Sequence, residues 1–95
     1  MKSFVDLTIT VCVLIQGTRI LFHFNALKLK KSLGCMKDHV EVIDTTVGRI
    51  TGRFCRMRQI ERSGDLLLSG STAIVRFRAS SKKTRQGFSL SYKQG

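Results

Sequence analysis

The tightest constraint on this chain is the spacing of its apolar alternation. Short runs in which every second residue is apolar recur at intervals of about ten residues, broken by Gly, Ser, Asp and Thr clusters. In the run 39–44, Val40 and Val42 share one face and Glu41 and Ile43 the other. After a connection over 45–48, Ile50, Gly52 and Phe54 alternate with Arg49, Thr51 and Arg53. Two such runs around a short polar connection predict a β-hairpin. Upstream, Ile20, Phe22 and Phe24 alternate with Arg19, Leu21 and His23, and Leu27 and Leu29 then alternate with Lys28 and Lys30. Downstream, 72–78 and 87–92 read as strands, the second with Phe88, Leu90 and Tyr92 on one face. Between them, Leu66-Leu67-Leu68 is a short apolar run and Ser69-Gly70-Ser71 a turn. The basic segment 56–65 reads as a connection with a short helical turn. No stretch sustains a long helical period, so the expected fold is an all-β antiparallel sandwich.

A chain of 95 residues supplies one domain with a modest core. Its 42% hydrophobic and 24% charged residues fit a folded domain, not a disordered tail. The net charge of +11 is the strongest compositional signal: residues 1–27 carry +1, residues 28–62 carry +5 and residues 63–95 carry +5. Such a surface attracts polyanions, whether nucleic acid, heparin-like glycans or anionic lipid headgroups, and a basic stripe across the sandwich would suit a sulfated glycan or an acidic protein. The basic groups fall into clusters: Lys28, Lys30 and Lys31; Arg53, Arg56, Arg58 and Arg62; and Lys82, Lys83 and Arg85. Arg76 and Arg78 share one face of their strand and extend the third cluster, making Arg76, Arg78, Lys82, Lys83 and Arg85 the candidate anion- or partner-binding set. The alternative is a scattered, solvated basic surface.

Residues 1–17 allow two readings. Lys2 followed by the apolar stretch Leu7 to Ile15 is similar to a secretory signal, with cleavage after Gly17. Thr8, Ile9, Thr10, Val11, Val13 and Ile15 equally suit a first β-strand. The stretch is too short for a membrane-spanning helix. The three cysteines show no zinc-site spacing. Cys35 and Cys55 stand at matching ends of the hairpin, where a disulfide is open to them, and Cys12 has no evident mate.

Little in the sequence points to catalysis. His23 and His39 have no Cys or carboxylate at ligand spacing, and there is neither a P-loop nor a GxGxxG. Six acidic residues leave little material for paired-carboxylate chemistry. The expectation is a non-enzyme without a cofactor. RQGFSLSY loosely matches the basic-Gly-aromatic strand of RNA-recognition domains, but Ser89 and Ser91 stand where further aromatics belong. Nucleic acid is therefore the less favoured partner.

The landmarks also have an order. Cys35, Asp38, Val40, Val42 and Asp44 are followed by Gly52-Arg53-Phe54-Cys55, then Ser69-Gly70, Ile74 and Phe77, and finally Gly87-Phe88-Ser89-Leu90-Ser91-Tyr92. In order and spacing these resemble the CUB domain, an extracellular β-sandwich module, over about residues 16–93. Gly17 to Phe24 is similar to that family's Gly-x-x-Ile-x-Leu-x-Phe strand. The resemblance implies a CUB-like antiparallel sandwich of jelly-roll type that lacks its first strands, with residues 18–95 as the domain and 1–17 as signal peptide or first strand. It implies secretion, a Cys35–Cys55 disulfide and a role in protein–protein interaction; the alternative is a small basic polyanion binder. There are departures: Arg56 replaces the usual Gly after the cysteine, the nearby Pro is missing, and the segment from Cys55 to Ser69 is long. Many CUB domains hold calcium through a Glu and two Asp. The corresponding positions here read Lys30, Asp38 and Ser80, which implies that calcium binding is lost.

Overall fold

A computed structural model describes residues 7–29, 38–79 and 87–95. Among these residues the chain forms seven strands and one short helix: β1 (Leu7–Leu14), β2 (Ile20–Lys28), β3 (His39–Asp44), β4 (Arg49–Phe54), α1 (Met57–Ser63), β5 (Leu66–Leu67), β6 (Thr72–Ala79) and β7 (Gly87–Gln94). They make two antiparallel sheets, ordered β1-β6-β3-β4 and β5-β2-β7. The all-β sandwich expected from the alternation is the fold observed.

Alternation decides which side chains fill the space between the sheets. From the four-stranded sheet come Val40, Val42, Phe54, Ala73, Val75, Phe77 and Ala79; from the other come Ile20, Phe22, Phe24 and Leu27, all buried. Two aromatic pairs bridge the sheets. Phe24 meets Phe54 edge-on at 5.7 Å, and Phe77 meets Phe88 at 5.1 Å. These pairs set β2 over β4 and β7 over β6. β1 therefore lies one strand beyond the edge of the smaller sheet. Its inward Val13 is buried at 6%, but inward Ile9 and Val11 stay 42% and 44% exposed. Tyr92 shares the inward side of β7 and touches Phe22 at 6.1 Å, yet it is 51% exposed because it lies on an edge strand.

The upstream alternation changes phase, and the structure explains why. Ile20, Phe22 and Phe24 are even-numbered inward residues, whereas Leu27 is odd. They belong to one strand, with a β-bulge between Phe24 and Ala26 that moves Asn25 out of register with β7. The basic connection is mostly α1. Gln59 Oε1 accepts the backbone N–H groups of Cys55 and Arg56 at 2.9 and 3.1 Å, and Ile60 plugs the core. Gly64, at φ 73°, ends the helix, donating its N–H to the Ile60 carbonyl.

A buried carboxylate fastens the sandwich. Asp44 closes β3, and its Oδ1 accepts the Thr46 N–H at 3.1 Å. Its Oδ2 accepts the Ser69 N–H at 2.8 Å and the Ser69 hydroxyl at 2.7 Å. The next residue, Gly70, gives its carbonyl to the Ile20 N–H of the opposite sheet at 3.0 Å. Gly70 has no room for a side chain: a Cβ there would sit 1.8 Å from Thr46 Oγ1. Burial alone would raise the Asp44 pKa. The N–H and hydroxyl of Ser69, with the N–H groups of Thr46 and Val47, outweigh it and hold the carboxyl below its ordinary 3.8.

A lowered folded-state pKa fixes the sign of the pH effect. The unfolded chain takes up the proton first, so the stability from Asp44 is complete above about pH 4 and is lost as pH falls through the lower folded value. Asp44→Asn keeps the shape but turns an amide donor toward one of the donors, and should cost about 1–3 kcal/mol at neutral pH. Urea melts from neutral pH downward should show this gap closing below about pH 4. A gap independent of pH would show that the charge on Asp44 is not what matters.

Candidate interaction face

The outer side of the four-stranded sheet carries the most organised polar constellation among the described residues. Cross-strand register sorts its side chains into rows. Thr10, Arg76, Glu41 and Arg53 stand opposite one another in one row. Thr8, Arg78 and His39 form the next. On the other flank run Cys12, Ile74, Ile43 and Ile50.

Glu41 is the centre. Hairpin register sets it opposite Arg53, whose Nε and Nη2 donate to Glu41 Oε2 at 2.8 and 2.5 Å. Arg76 Nη1 lies 3.7 Å from the other carboxylate oxygen, and His39 Nε2 lies 3.6 Å from it. The carboxylate is 3% exposed, but the Arg53 and Arg76 side chains remain 44% and 45% exposed. One negative charge thus sits low in the sheet with two guanidinium groups presented to solvent. Glu41 is a residue the sequence did not single out. A β-bulge in β4, between the Val42–Gly52 and Ile43–Ile50 pairs, sets it opposite Arg53 and turns Ile50, read on one face with Gly52 and Phe54, to the outer side, so neither its partner nor its burial was legible from the alternation.

The same separation of charge extends across the chain. Of six acidic residues, Asp38, Glu41 and Asp44 are buried. Asp65 is held by His23 Nδ1 at 2.7 Å. Three carboxylates are taken inward while Arg53, Arg76 and Arg78 stay outside, so this face is more cationic than the sequence alone conveys.

Of the expected binding set, the structure brings Arg76 and Arg78 together on this outer face. Lys82, Lys83 and Arg85 lie outside the described residues, as do Lys30, Ser80 and Cys35. Asp38 is buried, directly before β3. Cys55 is buried and Cys12 is an exposed free thiol on β1. Among the described residues, no group of three His, Cys, Asp or Glu side chains could hold a metal ion.

On the opposite sheet, His23, Asp65, Ser91, Leu21, Tyr92 and Lys93 line a shallow cavity of about 280 Å³. Ser, His and Asp meet here, but not in the arrangement of a nucleophilic triad. The Ser91 hydroxyl donates to the His23 backbone carbonyl at 3.5 Å, while the ring is turned to Asp65.

The Glu41 cluster makes a clear prediction. Arg53→Ala should destabilise the domain by about 1–3 kcal/mol, because it removes both short charge-assisted hydrogen bonds from a buried carboxylate. Arg76→Ala, which removes only the longer contact, should cost less. Urea denaturation of the two variants measures the order, and a larger loss at Arg76 would displace Arg53 as the principal partner of Glu41.

Comparison with known proteins bears on this fold directly. The family model for the CUB domain matches residues 10–92. Human cubilin is 38% identical over 79 residues, and pig cubilin 34% over 79; each alignment covers 82% of this chain and 2% of the relative. The chain thus spans a small fraction of the length of these relatives. Among solved structures, the CUB1-EGF-CUB2 domain of human MASP-1/3 superposes with a TM-score of 0.73 at 25% identity, covering 90% of this chain and 34% of that one. The corresponding rat MASP-1 domains give 0.75 at 24% identity, covering 92% and 33%, a likeness of fold. The resemblance read from the ordered landmarks is therefore one of membership, and this chain belongs to the CUB domain family.

Proposed function

We propose that this chain is a secreted, calcium-independent CUB module that binds an acidic protein partner through its arginine face. CUB domains are protein-interaction modules of extracellular proteins, and they are not catalytic. No helix among the described residues is long and apolar enough to cross a membrane. The observation that carries the reading is the outer face of the four-stranded sheet, with Glu41 buried and Arg53 and Arg76 half-exposed above it. Arg78 lies in the adjacent row. Lys82, Lys83 and Arg85 follow β6 in sequence and extend the same basic set. Arginine suits this role because its planar fork meets carboxylates in a fixed geometry.

Independence from calcium rests on donor chemistry. Calcium takes about six to eight oxygen ligands, with carboxylates supplying the charge. The positions that correspond to the family's calcium ligands read Lys30, Asp38 and Ser80. One carboxylate beside a lysine does not fit the ion. The Cys35–Cys55 bridge belongs to the same reading. Its support is that Cys55 is buried and disulfide-bonded while Cys12 is free. The pairing of β1 with β6 over its whole length favours residues 7–14 as part of the domain rather than of a cleaved leader.

Three measurements on protein from a secretory host test this reading. Peptide mapping without reductant should recover Cys35 and Cys55 as one linked pair, with Cys12 alkylated. Calorimetric titration with calcium up to about millimolar should give no binding heat, whereas micromolar affinity would end the calcium-independent reading. Poly-glutamate should bind, and Arg76→Glu with Arg78→Glu should weaken it by about tenfold or more. Strong binding of heparin with none of poly-glutamate would assign the face to sulfated glycans instead.

A further inference from the structure

The arginine row has a neighbour that a purely electrostatic surface does not need. Cys12, Ile74, Ile43 and Ile50 stand opposite one another on β1, β6, β3 and β4, on the solvent side of the sheet. Leu14 adjoins them on β1. Ile50 is 49% and Leu14 74% exposed, while Ile43 and Ile74 are half-buried. The outward face of an antiparallel sheet is ordinarily polar, as the Thr and Arg positions beside this row are. Crossing four strands means three inter-strand steps of about 4.8 Å, so the row is about 14 Å long. One row along, and parallel to it, run Arg76, Glu41 and Arg53. Apolar and cationic stripes therefore lie side by side, one strand period apart.

We infer that this pair of stripes is a docking surface for a protein segment that sets apolar side chains against Ile43, Ile50 and Ile74 and carboxylates against Arg53 and Arg76. The inference rests on the acidic-partner reading and adds an apolar anchor to it. Charge complementarity selects the partner. Glu41 neutralises at most one of the two guanidinium groups that contact it, and both stay accessible at 44% and 45%. A sulfated glycan satisfies arginines but has nothing to lay on isoleucines. A protein segment supplies both groups, and the isoleucines give it affinity that salt does not screen. Ile74 and Ile43, flanked by half-exposed residues, have the position of an interface centre, and the arginines that of its rim.

The test uses the whole chain and four probes: labelled forms of a short peptide alternating Leu and Glu, of a peptide of equal length and charge alternating Ser and Glu, and of a heparin oligosaccharide, and, by co-sedimentation, vesicles containing phosphatidylserine. Binding is read by fluorescence anisotropy at low and near-physiological salt. The Leu-Glu peptide should bind at least about tenfold more tightly than the Ser-Glu peptide, and the advantage should persist at the higher salt. Ile50→Asn, a neutral change at an exposed position that leaves the core intact, should remove that advantage without changing heparin binding. Ile74→Thr, which keeps β-branching, should reduce it in part, and thermal melts confirm that both variants fold. Equal affinity for the two peptides, unaffected by Ile50→Asn, would overturn the apolar anchor and leave the acidic-partner reading standing. Heparin binding with neither peptide bound would overturn both. Binding to vesicles containing phosphatidylserine that Ile50→Asn abolishes, with no peptide preference, would give the stripe to a membrane and overturn the protein partner.

Discussion

The sandwich depends on one buried carboxylate that does three jobs at once. Asp44 ends β3, turns the chain through Thr46, and grips Ser69 by both its N–H and its hydroxyl. Ser69 precedes Gly70, whose carbonyl takes the Ile20 N–H, and Leu68 on its other side donates its N–H to the Ile20 carbonyl at 2.9 Å. Ile20 begins β2 in the other sheet. A single side chain thereby links the two sheets at the end where the loops cross. Non-local strand pairing is entropically costly to assemble. A carboxylate with three strong donors converts an otherwise loose crossing into a fixed one, and it also explains why a Ser-Gly pair stands at 69–70. Serine supplies two donors, and glycine leaves Thr46 its space.

Asp44 and Glu41 belong to the same strand but are neutralised differently. Asp44 is met by N–H and O–H dipoles, which are fixed by the backbone and indifferent to salt. Glu41 is met by cations on neighbouring strands. The first arrangement stabilises the fold and leaves no charge for anything else. The second leaves cationic surface over, because two guanidinium groups converge on one carboxylate. That difference separates the part of β3 that serves the fold from the part that leaves charge at the surface.

Much of this was legible in the sequence where alternation was clean. Val40 with Val42, and Ile20 with Phe22 and Phe24, were read as sharing a face and are buried together, whereas Ile50, read on one face with Phe54, is 49% exposed. The ordered landmarks from Cys35 to Tyr92 identified the family. Other features were hidden for identifiable reasons. The bulge at Asn25 made one strand look like two, because a single inserted residue inverts the phase of everything after it. The burial of Glu41 and His39 was unreadable because they sit at outward positions of an alternating strand, where the pattern predicts solvent. The exposure of Tyr92, Ile9 and Val11 was unreadable for the opposite reason. Their positions point inward, but the offset between a four-stranded and a three-stranded sheet leaves Ile9 and Val11 uncovered, and the edge position of β7 leaves Tyr92 so. The apolar row on the outer face was concealed because its members come from four strands. Three strands contribute one isoleucine each and β1 contributes Cys12, none of which means anything alone, and only the register between strands assembles them.

That offset also bears on which surfaces can recruit partners without harm to the protein itself. β1 lies at the edge of its sheet among the described residues, and from Leu7 to Leu14 it has no charged residue and no proline, the usual guards of an open edge. At the opposite edge the arrangement differs. β4 carries Arg49 and Arg53 and is followed at once by α1, whose Arg58 and Arg62 add further charge. Repulsion between copies is therefore concentrated along β4 and the arginine row and is weakest along β1. The two ends of the apolar row inherit this asymmetry. At Ile50 the isoleucine lies beside cations that admit only an acidic visitor, while at Cys12 it meets an unguarded edge. For the segment proposed to dock here, electrostatics would set its carboxylates along the row of Arg76 and Arg53, and β1, which carries no charge, would meet its least acidic part.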